Sequence, residues 1–325
     1  MTDQADQQDS AREEYLRAHI EDRYGVGVLH LERLDRGVFS LQLRDGRRWI
    51  ARVFPPSRPL EQVEGDARIL QFLEQQNFPA ERCANAAPVS VLYGRGILVT
   101  NYITGQSVDT NEHTLKTFGE LIGRLSILPD EEGVTAREAG ALHHYSQGGG
   151  GPQSDLDAAA SWLAAIEEDV PTQSRALLAS LREQIANADT CQNLPETFIH
   201  PDPVLKNLLA TESNDLTLID WTGAGRGPRI ASLALLIWAG GLHQGSWSPS
   251  RVDAIVAGLR SHIRLEESEL DRLAAVMQIR PLVFACMRFR HAVKAGRAPN
   301  GTEWWWPGTE LSHAIAARAC VAFQS

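Results

Sequence analysis

The sequence of 325 residues has few cysteines and no long apolar segment. Stretch 1–10 is polar and acidic, without the apolar core of a signal peptide, and we expect it to be disordered. The longest apolar run, 230–242, is too short to cross a bilayer. The cysteines form no C-x-x-C motif, which argues against a disulfide framework or a zinc site. These absences predict a cytoplasmic protein with no membrane partner and with four separated thiols: Cys83, Cys191, Cys286 and Cys320.

Positive charge is also scarce. Lys and Arg number 31 against 41 Asp and Glu, which gives a net charge of −10, and no lysine precedes Lys116. Binding to nucleic acid requires clustered cations that neutralise phosphates, so we expect no nucleic-acid partner. An acidic surface suits a cationic ligand, but it also keeps a protein in solution. Charge therefore excludes one class of partner without identifying another.

The most specific pattern in the chain is a group of four polar residues. His200, Asp202 and Asn207 follow the spacing H-x-D-x-x-x-x-N, and Asp220 comes thirteen residues after Asn207. Taken singly, each residue could cap a loop or end a strand at a turn. That interpretation does not account for their joint spacing. We therefore take the four residues as a candidate catalytic site.

A short hairpin is predicted between Asn207 and Asp220, because two runs of apolar residues flank a polar turn there. The hairpin would bring both side chains to the same end. Their oxygen atoms are hard ligands, suited to one Mg²⁺ bound together with nucleotide phosphates. Asp202 could then accept a proton from an attacking hydroxyl group. The pattern thus indicates the catalytic loop and the metal-binding aspartate of a kinase-type phosphotransferase.

With this spacing and the triplet Ile-Asp-Trp at 219–221, the sequence resembles the aminoglycoside phosphotransferase and choline kinase-like family. The resemblance implies an α+β fold with the two lobes of a protein kinase. Residues 11–105 would form a small N-lobe of antiparallel strands, and 106–325 a large, mainly helical C-lobe. It also implies Mg²⁺ and a nucleotide bound between the lobes. The sequence does not separate ATP from GTP, or a monomer from a homodimer.

Arg52 lies where the family carries a phosphate-binding lysine on its third strand. The resemblance implies that Arg52 holds the α- and β-phosphates of the nucleotide, since arginine offers a permanent charge and a two-pronged donor. Asp66, on the following helix, would be its carboxylate partner, and Glu64 is the alternative. A plain surface position for Arg52 remains open at this stage.

Two further parts of the nucleotide site follow from the resemblance. The first is the turn between the first two strands, placed at 36–40, whose backbone N–H groups cover the phosphates in the family. It contains Gly37 and Ser40. The second is the hinge between the lobes, where backbone groups meet the purine edge. Its candidate residues are Val99, Asn101 and Ile103.

Three positions depart from the family pattern. Besides Arg52, Ser126 stands where members often have a histidine, and Ser232 stands where an aspartate steadies the catalytic loop. Ser232 can still form a hydrogen bond to the backbone. We expect His200 to fix the loop and not to act as the base. The departures keep one alternative open, a nucleotide-binding pseudokinase that regulates or binds a partner.

The acceptor is not identified by any motif. Family members phosphorylate aminoglycosides and other antibiotics, choline-like alcohols or sugars, and an antibiotic is our first expectation on the family resemblance alone. Lys206 could add a cation near the γ-phosphate or lie on the surface. The pair His143-His144 and the run Trp304-Trp305-Trp306 could belong to a loop or wall of the acceptor site, or to plain packing.

Overall fold

A computed structural model describes residues 2–140, 151–211, 215–243, 246–301 and 309–325. The pair His143-His144 and the tryptophans at 304–306 lie outside these ranges. The chain forms two compact units: unit 1 is Met1–Gln106 with Leu209–Ile219, and unit 2 is Ser107–Leu208 with Asp220–Ser325. The first segment of unit 1 ends one residue beyond the predicted lobe boundary at 105. Residues 209–219, which we had assigned to the C-lobe, belong to unit 1 because Leu218 bridges to Ala80.

Strands alternate with two helices in the first third of the chain, and the rest of the chain is mainly helical. In the described ranges the strands are β1 (Val28–Asp35), β2 (Val38–Leu43), β3 (Arg48–Val53), β4 (Val89–Leu92), β5 (Arg95–Asn101), β6 (Gly105–Ser107), β7 (Glu196–Ile199), β8 (Leu208–Thr211), β9 (Leu216–Leu218), β10 (Gly225–Pro228), β11 (Leu242–His243) and β12 (Ser246–Trp247). The helices are α1 (Thr2–Tyr24), α2 (Leu60–Gln75), α3 (Glu112–Leu125), α4 (Pro152–Ala164), α5 (Arg175–Ala186), α6 (Arg229–Gly241), α7 (Pro249–Arg260), α8 (Glu267–Lys294) and α9 (Thr309–Gln324).

Unit 1 is organised around a five-stranded antiparallel sheet with strand order β1-β2-β3-β5-β4. In β3 the side chains of Trp49 and Ala51 are buried, and Arg52 takes the other face because successive side chains alternate across a strand. Leu16 and Ile20 of α1 close the core on the same face as Trp49. Unit 1 is therefore the small antiparallel-sheet part that the resemblance implies.

Helix α1 begins at Thr2, whereas we predicted disorder for residues 1–10 and helix from Ala11. The stretch contains neither proline nor glycine, so nothing in it interrupts a helix. Helix α2 buries Val63, Ala67, Leu70 and Leu73, the apolar stripe expected from their spacing.

Unit 2 contains helices α3–α9 and two short antiparallel ribbons, β7 with β10 and β11 with β12. Helices α3 and α7 approach closely at two glycines. A Cβ atom on Gly119 would lie 2.3 Å from the carbonyl oxygen of Ile255, and one on Gly258 would lie 2.0 Å from that of Lys116. Only glycine fits such a crossing. No helix in the ranges described is long and apolar enough to traverse a bilayer.

Helix α8 corrects one prediction. A proline within a helical stretch predicts a break near Arg280-Pro281, but the helix runs unbroken from Glu267 to Lys294 with Pro281 inside it. Proline lacks the N–H that would bond the carbonyl of Met277 four residues earlier. Contacts of α8 with α4, α6 and α9 compensate for the lost hydrogen bond.

Candidate active site

The loop that carries the candidate catalytic residues starts from the ribbon of β7 and β10, which the sequence did not predict. Ile199 at the end of β7 pairs with Gly225 at the start of β10. His200 follows Ile199, and the turn after Asp220 precedes Gly225, so both leave the ribbon at the same end. The ribbon thereby brings together two segments that lie far apart in the sequence.

His200 is fully buried, with no exposed surface. Its Nδ1 accepts a hydrogen bond from the backbone N–H of Asp202 (3.1 Å), and its ring contacts Trp221 edge to face at 4.8 Å. Its backbone carbonyl accepts a hydrogen bond from the Ser232 hydroxyl at 2.8 Å. These contacts fix the loop on both sides of His200. Ser232 thus forms the backbone hydrogen bond that we expected of it.

The carboxylate of Asp202 is surrounded by three donors. Asn207 Nδ2 lies 3.2 Å from Oδ2, and Lys206 Nζ lies 3.3 Å from the same oxygen. The third donor is Arg280 Nη2, 3.4 Å from Oδ1. Lys206 is 73% exposed, whereas the side chain of Arg280 is only 15% exposed. Arg280 was not anticipated, because it lies on α8, 78 residues from Asp202, and no local pattern connects the two.

Asn207 and Asp220 are the predicted metal ligands. Asn207 is buried, and its Nδ2 donates to the backbone oxygen of Asp202 (2.8 Å) as well as to the carboxylate. The amide Oδ1 is thereby left as the atom that a cation can use. Asp220 adopts a φ of +68°, a left-handed conformation that is strained for a residue with a side chain and is typical of functional sites.

The two predicted ligands suit the coordination chemistry of Mg²⁺. Within the described part of the chain, no group of three or more His, Cys, Asp or Glu side chains could hold a metal alone. Magnesium keeps waters and binds through one or two protein oxygens together with substrate phosphates. One amide oxygen and one carboxylate fit this requirement, so Asn207 and Asp220 suit a metal that arrives with a nucleotide.

In unit 1 Arg52 pairs with a carboxylate that the sequence did not predict. Arg52 Nη2 lies 3.2 Å from Glu81 Oε1, and Glu81 Oε2 accepts from the hydroxyl of Thr100. Asp66 instead pairs with Arg58 at 2.6 Å, with both side chains 2% exposed. Glu64 is exposed.

The segment after α2 explains why Glu81 lies next to Arg52. The backbone bridge between Cys83 and Thr100 runs this segment along β5, and β5 lies next to β3. Glu81 is thereby carried to Arg52. Arg58 lies just before α2, eight residues ahead of Asp66, and is close enough to pair with Asp66.

The predicted phosphate turn is shorter than expected. Gly37 lies in the turn with φ +74°, and a Cβ there would be 2.6 Å from the carbonyl oxygen of Val53, so the position requires glycine. Ser40 is not in the turn. It is buried in β2, opposite Ile50, and its hydroxyl accepts a long hydrogen bond of 3.5 Å from Arg48. The assignment of Ser40 to the turn was therefore wrong.

The hinge candidates differ in their backbone bonding. The N–H of Val99 donates to Pro88, and that of Asn101 donates to Arg82. For Ile103, neither backbone polar group has a hydrogen-bond partner in the part of unit 1 that is described. Ile103 is thus the candidate whose backbone groups can meet a ligand.

The fold is that of the kinase-like phosphotransferases. Residues 31–268 match the APH family, described as the phosphotransferase enzyme family, and the chain belongs to it. No curated protein matches the chain.

Several solved structures share the fold. The amicoumacin kinase hAmiN, in complex with AMP-PNP, Ca²⁺ and Ami, has a TM-score of 0.59 at 13% identity, over 92% of this chain and 88% of its own. The choline kinase LicA from Streptococcus pneumoniae has a TM-score of 0.58 at 14% identity, and the match covers 97% of this chain and 99% of LicA. The aminoglycoside phosphotransferase APH(3'')-Id from Streptomyces rimosus ATCC10970 has a TM-score of 0.56 at 20% identity, and the match covers 82% of this chain and 97% of that protein. At these identities the likeness establishes the fold.

Proposed function

We propose that the protein is a small-molecule kinase that transfers the γ-phosphoryl group of ATP or GTP to a hydroxyl group, with Mg²⁺. The observation that carries this proposal is the arrangement around Asp202. Asn207 holds the carboxylate with its amide nitrogen and keeps its amide oxygen for a cation. A base and a metal ligand joined by one hydrogen bond are the parts that phosphoryl transfer requires.

In this mechanism Asp202 orients the acceptor hydroxyl and takes its proton. The hydroxyl oxygen forms a bond to the γ-phosphorus, the bond to the β-phosphate oxygen breaks, and the nucleoside diphosphate leaves. Asn207 and Asp220 would hold Mg²⁺, which would neutralise charge on the phosphates. His200 acts through the loop, because its buried ring bonds the backbone of Asp202.

Unit 1 supplies the groups for the nucleotide. Arg52 binds its phosphates and is held by Glu81, which takes the role that we first gave to Asp66. Gly37 lets the backbone of the β1–β2 turn approach phosphate oxygens. The backbone groups of Ile103, which have no hydrogen-bond partner in the described part of unit 1, meet the purine edge, while the N–H groups of Val99 and Asn101 are used within unit 1. Because backbone groups read the base, ATP and GTP both remain candidates.

The acceptor is proposed to be an antibiotic. Kinases for amicoumacin, aminoglycosides and macrolides share this fold, which supports the proposal. A choline-like alcohol or a sugar is the alternative, supported by the choline kinase LicA. We further propose a cytoplasmic protein, a monomer or homodimer, since nucleotide is abundant there and all four cysteines are unpaired thiols.

A nucleotide-binding pseudokinase is the second candidate, favoured by the departures at Arg52, Ser126 and Ser232. Both serines still donate hydrogen bonds to backbone carbonyl groups: Ser126 to Ile122, and Ser232 to His200. A binding module also has no need of a base and metal ligands together. These observations favour the enzyme.

The test is calorimetric titration of ATP and of GTP, with and without Mg²⁺. We expect Mg²⁺-dependent binding that is lost in Asp220→Ala. Asp215→Ala is the matched control, because Asp215 is an exposed aspartate on the same short hairpin. If the folded wild-type protein bound neither nucleotide, the proposed function would be contradicted.

A further inference from the structure

A cavity of about 70 Å³ lies in unit 2 beside the catalytic loop. One water-sized group needs about 10–15 Å³, so the cavity has room for roughly five such groups. Pro201, the neighbour of Asp202, lines it, as does Arg280, which contacts the Asp202 carboxylate. Most of the remaining wall is aliphatic, including Leu235, Val276 and Met277. The cavity is therefore an apolar space next to the proposed base.

Arg280 places a fixed positive charge at the wall of this cavity. Its guanidinium group lies 4.5 Å from the ring centroid of Phe284 and 3.4 Å from Asp202 Oδ1, so two contacts restrain it. Asp155 is the one carboxylate among the lining residues described. The positive charges of Arg280 and Lys206 would repel an acceptor that carries several ammonium groups. Among the lining residues described, only Asp155 could attract such an acceptor.

Among the residues that the structure describes, two nitrogen atoms of Arg280 have no hydrogen-bond partner. Nε and Nη1 are buried, and neither has an acceptor within the described ranges. A buried donor without an acceptor is costly, so it calls for a group that would satisfy it. A neutral oxygen on a bound molecule, such as a carbonyl or ether oxygen, is the group that would do so beside an aliphatic wall.

We propose that this cavity receives the aliphatic part of the acceptor and that Arg280 selects acceptors with neutral oxygen groups over those with several ammonium groups. The inference rests on the proposed function and specifies its substrate class. The acceptor is then an uncharged or singly charged alcohol that carries an alkyl group and a carbonyl or ether oxygen.

The sequence offers a direct reporter of binding. The chain has three methionines, of which Met277 lines the cavity, Met287 lies on the same helix outside it, and Met1 is the terminus. With ¹³C-methyl methionine, the Met277 signal reports occupancy and the Met287 signal is its internal control. Two small alcohols serve as a pair of probes: methyl 3-hydroxybutyrate, which is neutral and has a carbonyl, and 1,3-diaminopropan-2-ol, which carries ammonium groups.

We expect methyl 3-hydroxybutyrate to shift the Met277 methyl signal saturably, with an affinity at least tenfold higher than that of the diamine. Ala231→Leu, which fills the cavity wall, should abolish the shift, whereas Ala239→Leu on the same helix should not. Arg280→Met should reduce the preference for the neutral alcohol. A thermal melt of each variant reports whether it folds.

The inference is overturned if the neutral alcohol leaves Met277 unshifted, if the diamine binds equally well, or if Ala231→Leu binds like the wild type. Failure of the proposed function has a different signature, the absence of Mg²⁺-dependent nucleotide binding. The two outcomes are therefore distinguishable, because the methyl measurement contains no nucleotide.

Discussion

The hydroxyl of Ser232 donates to the backbone carbonyl of His200 at 2.8 Å, and both residues are buried. A neutral hydrogen bond thus steadies the catalytic loop where the resemblance implies an aspartate. Ser232→Ala removes a bond worth about 1 kcal/mol and should lower kcat roughly fivefold, with nucleotide affinity unchanged.

Ser232→Asp is the informative companion variant. A buried carboxylate cannot donate to the carbonyl of His200, so this change towards the family residue should reduce kcat more than alanine does. Steady-state kinetics of both variants check the order. Higher activity in Ser232→Asp than in Ser232→Ala would contradict the role given to the serine.

Glu81 is predicted to set the affinity for nucleotide phosphates, because it holds Arg52 at 3.2 Å. Glu81→Gln keeps the size and removes the charge, and it should weaken binding of Mg²⁺-ATP about tenfold. Glu64→Gln is the matched control, since Glu64 is an exposed glutamate on α2. Calorimetry compares the two variants, and an effect of Glu64→Gln without one of Glu81→Gln would favour Glu64, the alternative partner of Arg52.

Arg58 and Asp66 form a buried ion pair, and single and double substitutions of the pair should differ in their effect on the free energy of unfolding. Arg58→Met or Asp66→Leu alone leaves an uncompensated buried charge and should lower the free energy of unfolding by about 3–5 kcal/mol. The double variant should lose much less than the sum, because no charge remains. Urea unfolding measures all three, and additive losses would refute this account of the pair.

Asp189 should make stability depend on pH. Hydrogen bonds from Arg272, at 2.8 and 2.5 Å, lower the pKa of the Asp189 carboxyl below its ordinary value. A carboxyl with a lowered pKa stabilises the fold above its unfolded pKa, about 3.9, and loses that contribution as the pH falls through its folded value. Asp189→Asn should therefore be less stable than the wild type at pH 7, and the gap should close in acid below about pH 4.

The control for this prediction is Asp45→Asn. Asp45 pairs with Arg47 on the surface, where the two side chains are 49% and 54% exposed, so the substitution should change stability little at either pH. Unfolding curves measured from pH 7 to pH 3 compare the two variants. A gap for Asp189→Asn that stays constant into acid would show that the carboxyl contributes nothing to the pH dependence.

Local patterns in the sequence predicted the elements that have local causes. The stripe on α2 and the strands around Trp49 follow from periodicity, and the catalytic spacing from His200 to Asp220 is read within one short stretch. The left-handed conformation at Asp220 accompanies that stretch but has no signature in the sequence. Local rules also gave wrong predictions, since Pro281 lies inside an unbroken helix and residues 2–10, which were expected to be disordered, belong to α1.

Contacts between residues that lie far apart in the sequence could not be predicted. Glu81 lies 29 residues from Arg52, and Arg280 lies 78 residues from Asp202, so their pairing depends on how the chain folds back on itself. The ribbon strand β10 reads Gly-Arg-Gly-Pro, which resembles a loop, because its pairing with β7 and not its composition makes it a strand.

The measurement that tests the central claim most directly is the turnover of γ-labelled ATP or GTP, with Mg²⁺ and a panel of hydroxyl acceptors, by the wild type and by Asp202→Asn. We expect phosphoryl transfer by the wild type that falls by at least about a thousandfold in Asp202→Asn, while nucleotide affinity changes little, since the base is lost and the metal ligands remain. Transfer at the wild-type rate by Asp202→Asn would contradict the role of Asp202 as the base. Nucleotide binding without transfer to any acceptor would favour the pseudokinase.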